Sequence, residues 1–306
     1  MTTKSMLWGG FAVLLTIMFI LDLGVFNRKS HAIRFREALA WTVVWVLLAL
    51  AFNGGIYYYL GPTKALEFFT GYLIEESLSV DNLFVFIMIF GYFHITRAHQ
   101  PKILKWGIIG ALVMRALFIL VGIELIERFH WMIYVFGAIL VFTGFKMAFG
   151  GEGEMEPEKN PLVRLARRFL PITRRIRDDK FFIRKRGVTA ATPLLLALLV
   201  IESSDVIFAL DSIPAVLAVT TDPFIVYTSN VFAIMGLRSL YYLLANVLEM
   251  FAYLKLGVSL ILGYVGAKML LTDVVHIPTV FSLGVIVGVL TISILISVAV
   301  GRKKHP

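Results

Sequence analysis

Residues 75–82 read EESLSVDN and residues 205–212 read DVIFALDS. Each stretch places an acid six residues before an aspartate, and each lies inside a long apolar run. A carboxylate near the centre of a bilayer costs roughly 2.5 kcal/mol or more, so carboxylates placed there generally serve a function. The two stretches therefore indicate a membrane-spanning fold and mark where its chemistry lies.

The composition of the chain is that of an integral membrane protein. Of its 306 residues, 59% are hydrophobic and 16% are charged, and the mean hydropathy is +0.85. Apolar stretches of about 20 residues, long enough to cross a hydrocarbon core of about 30 Å, recur along the whole chain. We predict an all-α polytopic membrane protein with about nine transmembrane helices, at residues 6–26, 37–60, 66–92, 103–127, 131–150, 191–219, 223–248, 254–272 and 278–300.

The distribution of Lys and Arg predicts the orientation in the membrane. Most follow the first, third, fifth and ninth predicted spans, and the intervening loops carry almost none. Because basic loops stay on the cytoplasmic side, we expect the N-terminus outside and the C-terminus in the cytoplasm. The same distribution explains the net charge of +9 without nucleic-acid binding. The chain has no cysteine, which excludes disulfides and thiol redox chemistry within it.

An internal repeat relates two parts of the chain. Three features recur in the same order with similar spacing: the acid pairs Glu75/Asp81 and Asp205/Asp211, the arginines Arg115 and Arg238, and the motifs GFKM at 144–147 and GAKM at 266–269. Spans three to five thus correspond to spans six to eight. Since three is odd, the second copy enters from the opposite side, which gives an inverted repeat of three plus three helices, as in many secondary transporters.

The repeat divides the chain into five predicted regions. These are residues 1–62 with two helices, 63–150 with the first repeat, 151–190 as a basic cytoplasmic loop, 191–273 with the second repeat, and 274–306 with the last helix and a cytoplasmic tail. In the loop, apolar and basic residues interleave at helical spacing. This pattern suits an amphipathic helix on an anionic lipid surface, and it equally suits a solvated linker.

The intramembrane acids are the candidate metal ligands. Oxygen ligands without cysteine or intramembrane histidine favour hard divalent ions such as Mn²⁺, Ca²⁺ or Mg²⁺. The predicted ligands are Glu75, Asp81, Glu202, Asp205 and Asp211, with Asp22, Asn82 and Ser212 as accessory residues. Arg115 and Arg238 are the predicted counter-charges, and direct binding of an anionic substrate is the competing use of these arginines. Structural pairing of acids with arginines is the alternative without a metal.

Helix geometry constrains how these acids face their partners. Positions six apart on an α-helix differ by about 120° around its axis, so Glu75 and Asp81 cannot share one face of a regular helix. Either the helix is unwound between them or the two acids face different partners. Pro214, just past Asp211, favours the distorted helix. Gly144 and Gly266, in the repeated motifs, favour close helix packing.

At these residues the chain resembles the TerC family of integral membrane proteins. The matching runs are GYLIEESLSVDNLFVF at 71–86, FFIRKRG at 181–187, the stretch 191–244 and the GxKM pair. The resemblance covers nearly the whole chain and implies Mn²⁺ export across the bacterial inner membrane, by a relative of the lysine exporter superfamily. Glu76 departs from the family pattern, so we rank it below Glu75 as a ligand.

The combined expectation is a secondary transporter that exports Mn²⁺, with Ca²⁺ as a second candidate, in exchange for protons. The expected partners are the ion, protons and the lipid bilayer, with anionic lipid at the loop as one option. We expect no catalytic residues, no resident cofactor and no enzymatic activity. The alternative is a membrane scaffold or binding component of a metal or tellurite resistance complex, without transport of its own. The oligomeric state does not follow from the sequence.

Overall fold

The computed structural model describes residues 3–26, 35–149, 160–169, 171–173, 180–185, 188–245, 254–275 and 277–304. This part of the chain is mostly helical. Its helices are α1 (Thr3–Phe26), α2 (Phe35–Leu60), α3 (Pro62–Tyr92), α4 (Gln100–Arg128), α5 (Met132–Phe149), α6 (Pro161–Phe169), α7 (Pro193–Leu217), α8 (Pro223–Leu244), α9 (Leu254–Leu270) and α10 (Thr279–Lys304). Strands β1 (Phe182–Lys185) and β2 (Val188–Ala191) form an antiparallel hairpin.

Each predicted span corresponds to one long helix, with ends that agree within four residues. Among the described residues, five helices are long and apolar enough to cross a membrane: Phe35–Leu60, Gln100–Arg128, Met132–Phe149, Pro193–Leu217 and Thr279–Ser297. The central helices α3 and α8 are not among these five, because charged and polar side chains along them lower their hydropathy. The fold is therefore that of a polytopic helical membrane protein, and the count of nine spans stays a prediction.

The expectation of an unwound helix at the acidic stretches is wrong. Helix α3 runs without interruption through residues 75–82, and α7 runs through residues 205–212. Pro214 lies three residues before the end of α7, and the helix continues past it. A proline so near the end removes a single hydrogen bond, so the helix tolerates it. Since both helices are regular, the acids six residues apart must face different partners.

Helices α3, α4, α7 and α8 pack together at the centre of the bundle, and α2 covers α3 and α8. Aromatic rings attach α1 and α2 to this centre: Phe52 of α2 lies 4.8 Å from Phe232 of α8 and 5.4 Å from Phe68 of α3, between ring centroids. Helices α5 and α9 pack along each other at one side, and α10 contacts α9 and α3. Glu75 and Asp205 thus lie on helices of this centre.

The glycines of the repeated motifs bring α5 and α9 into backbone contact, as predicted. A Cβ atom at Gly144 would lie 2.7 Å from the carbonyl oxygen of Ser259, and one at Gly266 would lie 2.7 Å from that of Gly137. Side chains cannot be accommodated at such distances without separating the helices. The small residues therefore set the distance between α5 and α9.

We expect Gly266→Ala to lower the free energy of unfolding by about 1–3 kcal/mol, because the added methyl group overpacks the contact between α5 and α9. Gly263→Ala, on the same helix, is the matched control because nothing lies within 4 Å of the added atom. It should be neutral or stabilising, by up to about 1 kcal/mol, since Ala favours helix over Gly. Thermal unfolding of the purified protein in detergent measures both, and equal stabilities would contradict the described contact.

The loop between α5 and α7 is folded against α7 where it is described. Asn160 Oδ1 accepts hydrogen bonds from the amides of Leu162 (2.9 Å) and Val163 (3.4 Å), which caps α6. Its Nδ2 donates to Ser203 Oγ of α7 at 2.6 Å, and Val163 is fully buried. Residues 160–169 thus include a helix that Asn160 and Val163 anchor to α7, and the choice between a lipid-bound helix and a solvated linker stays open. Residues 151–159 lie outside the described part of the chain.

Candidate functional site

A buried ion-pair cluster joins the two acidic stretches at the centre of the bundle. Arg115 of α4 donates from one terminal guanidinium nitrogen to Glu75 of α3, and its other terminal nitrogen lies 3.5 Å from Asp205 Oδ1 of α7. Asn230 of α8 donates from Nδ2 to the second oxygen of Glu75 at 2.7 Å. The side chains of Arg115 and Glu75 are 2% and 0% exposed. Each of the four central helices thus contributes one residue.

The cluster exists because none of its charges is tolerated alone in an apolar interior. Breaking a buried ion pair by removing one partner strongly destabilises a protein, because the other charge is left uncompensated. Glu75 accepts hydrogen bonds at both oxygens, so its charge is well stabilised. Asp205 has a single long contact to Arg115, so it is the more weakly held of the two carboxylates.

Several buried oxygen atoms of the same helices make no hydrogen bond within the described part of the chain. They are Ser79 Oγ of α3, Asp205 Oδ2 and Ser212 Oγ of α7, and Asn230 Oδ1 of α8. Buried polar atoms are almost always satisfied, by protein, water or an ion. Oxygen atoms of carboxylates, hydroxyls and amides are also the ligands that hard divalent cations prefer. Asp205 Oδ2 and Asn230 Oδ1 therefore give the cluster around Arg115 free acceptor capacity of the kind that binds such a cation.

Asp211 lies apart from this cluster. Its Oδ1 accepts a hydrogen bond from Thr143 Oγ1 of α5 at 2.8 Å. It lines a cavity of about 240 Å³ together with Asn82 of α3 and Ser212, two of the predicted accessory residues. Lys146 and Lys255 line the same cavity, so its charge is not purely acidic. Asp205 and Asp211 of α7 thus face different partners, as the 120° rotation between them requires.

Two further carboxylates each lie against a glycine of a facing helix. A side chain at Gly110 of α4 would overlap the carboxylate of Glu202 of α7, and one at Gly236 of α8 would come within 3.2 Å of Glu76 of α3. Glu76 also shares a hydrogen bond with Tyr72, one turn earlier on α3. The sequence analysis ranked Glu76 low, although its position next to Glu75 was the signal that it is intramembrane.

The structure brings only part of the predicted metal set together. Glu75 and Asp205 share the Arg115 guanidinium, and Glu202, one turn before Asp205 on α7, lies within the electrostatic influence of Asp205. Asp211 instead contacts Thr143 of α5. Within the described residues, no three acidic or histidine side chains converge as a metal-binding group. The side chains of Asp22 and Asp81 lie outside the described residues.

The second predicted counter-charge, Arg238 of α8, is as deeply buried as Arg115. Its side chain is 2% exposed. Tyr242, one turn further along α8, lies within its electrostatic influence. The two arginines therefore occupy comparable interior positions on two of the four central helices, α4 and α8.

A larger cavity of about 640 Å³ lies at the other end of α3, which the sequence analysis missed. Lys64 of α3 forms ion pairs there with Glu67 (2.8 Å) and with Asp222 (3.3 Å), the residue before α8. Asp222 also caps α8 by accepting from the amide of Phe224 at 3.0 Å. The sequence offered one indication of this cavity, because charged residues lie next to Pro62 and Pro223, the prolines at which α3 and α8 begin. Along α3, Glu75 thus lies between the residues that line the two cavities.

These features define a polytopic helical membrane protein with a charged centre. The chain belongs to the TerC family: it matches the description "Integral membrane protein TerC family" over residues 60–305. It is 51% identical to "Uncharacterized membrane protein STKORF319" of Myxococcus xanthus, over 97% of this chain and 93% of that protein.

Other relatives extend the same similarity across bacteria. The chain is 50% identical to "Putative membrane-bound redox modulator Alx" of Escherichia coli K12, over 97% and 96% of the two chains. It is 37% identical to "Uncharacterized membrane protein" of Rickettsia bellii, over 96% and 97%. No solved structure matches the chain. The family resemblance inferred from the acidic stretches is thereby confirmed.

Proposed function

We propose that this protein is a secondary transporter that exports Mn²⁺ across the bacterial inner membrane in exchange for protons. The observation that carries the proposal is the fully buried Arg115 guanidinium, which joins a carboxylate of α3 to a carboxylate of α7. Ionisable residues inside a membrane generally serve transport, and here they come from two stretches of related sequence.

The packing of the helices supports an inverted repeat. If α3, α4 and α5 correspond to α7, α8 and α9, a two-fold relation maps the contact between α3 and α8 onto the contact between α7 and α4. Both contacts are present. The pairs α3 with α7, α4 with α8 and α5 with α9 would map onto themselves, and all three also pack together. In transporters built this way, the ion site lies near the midplane where the repeats meet.

In the mechanism we propose, Arg115 takes the place of the transported cation. Its guanidinium holds Glu75 and Asp205 when no ion is bound, which lowers the cost of an empty site. A divalent cation entering between the two carboxylates displaces the guanidinium from Asp205, the more weakly held acid. The carboxylates must be deprotonated to bind the metal, so release of the ion can be coupled to uptake of protons.

The basic loops indicate which side of the proposed transporter faces the cytoplasm. The hairpin and α6 belong to the most basic loop, and such loops are cytoplasmic in bacterial inner-membrane proteins. The cavity at Lys64 then lies toward the outside, because Leu217, at the end of α7 remote from this loop, also lines it. A thiol-based redox role is not open to the chain, because it contains no cysteine.

The deciding experiment is metal flux in proteoliposomes that contain the purified protein. We expect Mn²⁺ to accumulate when a pH gradient is imposed, and Ca²⁺ and Mg²⁺ to show how selective the site is. Protein-free vesicles and vesicles with a collapsed gradient are the controls. Absence of metal movement under every gradient, with folded protein confirmed by size-exclusion chromatography, would exclude transport.

The scaffold alternative is favoured by one observation, the basic face of α6. Arg164 and Arg168 are exposed on this helix while Val163 anchors it to α7. Deleting the helix would also uncover α7, so the double substitution Arg164→Gln with Arg168→Gln is the cleaner test. A transporter should retain Mn²⁺ flux in this variant. A scaffold should lose its effect on cellular metal tolerance while the protein remains folded in the membrane.

A further inference from the structure

A third cavity, of about 480 Å³, lies where the connection between α3 and α4 meets the end of α8. Its polar lining consists of His94, Thr96, Arg97, Gln100, Tyr241 and Tyr242. Its apolar lining includes Ile87 and Phe90 of α3. The cavity therefore has a polar end and an apolar end, as a site for an amphiphile requires.

The connection that forms the polar end is held in a defined shape. His94 adopts a left-handed backbone conformation with φ +52°, and its Nδ1 donates to the carbonyl oxygen of Gly91 at 2.8 Å. The buried Gln100 donates to the carbonyl oxygen of Ile95 (3.3 Å) and accepts from the hydroxyl of Tyr241 (3.1 Å). The polar end is thus built by specific contacts between the connection and α8.

The charged side chains of the α3–α4 connection and of the start of α4 are all positive. The connection and the first turns of α4 read FHITRAHQPKILKW at residues 93–106, with three Lys or Arg residues and no acid. Arg97 is exposed and lies within the electrostatic influence of Tyr241, so its charge is available at the cavity. No carboxylate lines the cavity among the described residues. An anion is the ligand that such a lining favours.

The position of the cavity identifies the source of the anion. Lys102 Nζ of α4 lies 4.8 Å from the centre of the Phe181 ring, next to β1, so the cavity is at the same end of the bundle as the basic loop. On the last turns of α3, next to the lining residues Ile87, Phe90 and Gly91, Met88 and Tyr92 are exposed at 47% and 45%. Exposed apolar side chains at this level provide a surface for acyl chains, which a free anion would not use.

We infer that this cavity binds the headgroup of an anionic phospholipid, with the phosphate near Arg97 and His94 and the acyl chains along α3. Arginine is suited to this role because its planar guanidinium pairs with phosphate in two hydrogen bonds. The site lies on the α3–α4 connection, and none of its lining residues belongs to α6 or to the rest of the long loop. It does not depend on the proposed transport activity.

Native mass spectrometry of the full-length protein tests the inference, by titration with phosphatidylglycerol and with phosphatidylcholine of the same acyl chains. We expect wild-type protein to bind phosphatidylglycerol more tightly. Arg97→Gln should weaken this binding roughly tenfold and leave phosphatidylcholine binding unchanged, because it removes one charge-assisted contact. Arg36→Gln is the matched control, since Arg36 is an exposed arginine at the start of α2, on the same predicted side. It should bind like wild type.

Three results would overturn the inference. Equal affinity of the wild-type protein for the two lipids would mean that the cavity is an apolar groove without anion selectivity. Equal losses in Arg97→Gln and Arg36→Gln would mean that surface charge, and no defined site, attracts the lipid. Displacement of phosphatidylglycerol by millimolar inorganic phosphate would identify a site for free anions. Arg97 is exposed, so its substitution leaves the fold intact for each comparison.

Discussion

Arg115→Gln should lower the free energy of unfolding by about 3–5 kcal/mol, the largest stability effect that the structure predicts. The variant leaves Glu75 and Asp205 buried without their shared cation, and Glu75 is completely shielded from solvent. Glutamine carries no charge, and it offers one amide nitrogen in place of the two terminal guanidinium nitrogens. Thermal unfolding in detergent, followed by fluorescence or by the loss of the monodisperse chromatography peak, measures the effect.

Arg128→Gln provides the matched control on the same helix. Arg128 is paired with Glu124 one turn earlier, but the two side chains are 71% and 54% exposed. Exposed ion pairs contribute about 0–1 kcal/mol, so this variant should unfold nearly as the wild type does. Similar stabilities for the two arginine variants would mean that the buried cluster is not a structural unit.

A divalent cation should compensate for the missing guanidinium. If Arg115 takes the place of the transported ion, Mn²⁺ has better access to Glu75 and Asp205 in Arg115→Gln than in the wild type. An ion that binds only the folded state stabilises it by about 2.7 kcal/mol at 100 times its dissociation constant. We therefore expect Mn²⁺ to raise the unfolding temperature of the variant by more than that of the wild type. An equal rise in the unfolding temperatures of the two proteins would contradict the proposal that Arg115 takes the place of the transported ion.

Features that depend on residues close together in the sequence could be predicted, whereas contacts between residues far apart in the sequence could not. Helix ends follow from the lengths of apolar runs, so the predicted spans agree with the helices within four residues. Because an α-helix turns by about 100° per residue, Asp205 and Asp211 required either separate partners or a broken helix. The structure shows separate partners. The preference for a broken helix failed because Pro214 lies too close to the end of α7 to interrupt it.

The partners themselves could not be derived from the sequence. Asn230 donates to Glu75 across 155 positions of the sequence, and Lys64 pairs with Asp222 at the larger cavity. Such contacts depend on which faces of the central helices meet, and helices that are apolar on every side give little periodicity from which to read those faces. For the same reason the proximity of Glu76 to Gly236, or of Glu202 to Gly110, left no signal in the local pattern.

Asp205→Asn should separate charge from packing in the proposed ion site. Asp205 makes one long contact to Arg115, and its second oxygen has no hydrogen-bond partner within the described part of the chain. An amide fits the same space, so we expect the protein to remain folded. The lost charge matters more for a divalent ion: a unit charge about 4 Å away contributes about 4 kcal/mol at an intermediate dielectric. A loss of about 2.8 kcal/mol of this binding free energy is enough to reduce the affinity for the ion roughly 100-fold.

We therefore expect Asp205→Asn to reduce Mn²⁺ flux in proteoliposomes roughly 100-fold or more while its unfolding temperature stays close to that of the wild type. Glu124→Gln is the control, because it removes an exposed carboxylate from α4 and should leave flux unchanged. Flux near the wild-type rate in a folded Asp205→Asn variant would assign the acid a structural role beside Arg115. Loss of flux with retained stability would instead separate the two buried carboxylates by function, with Glu75 anchoring the arginine and Asp205 receiving the ion.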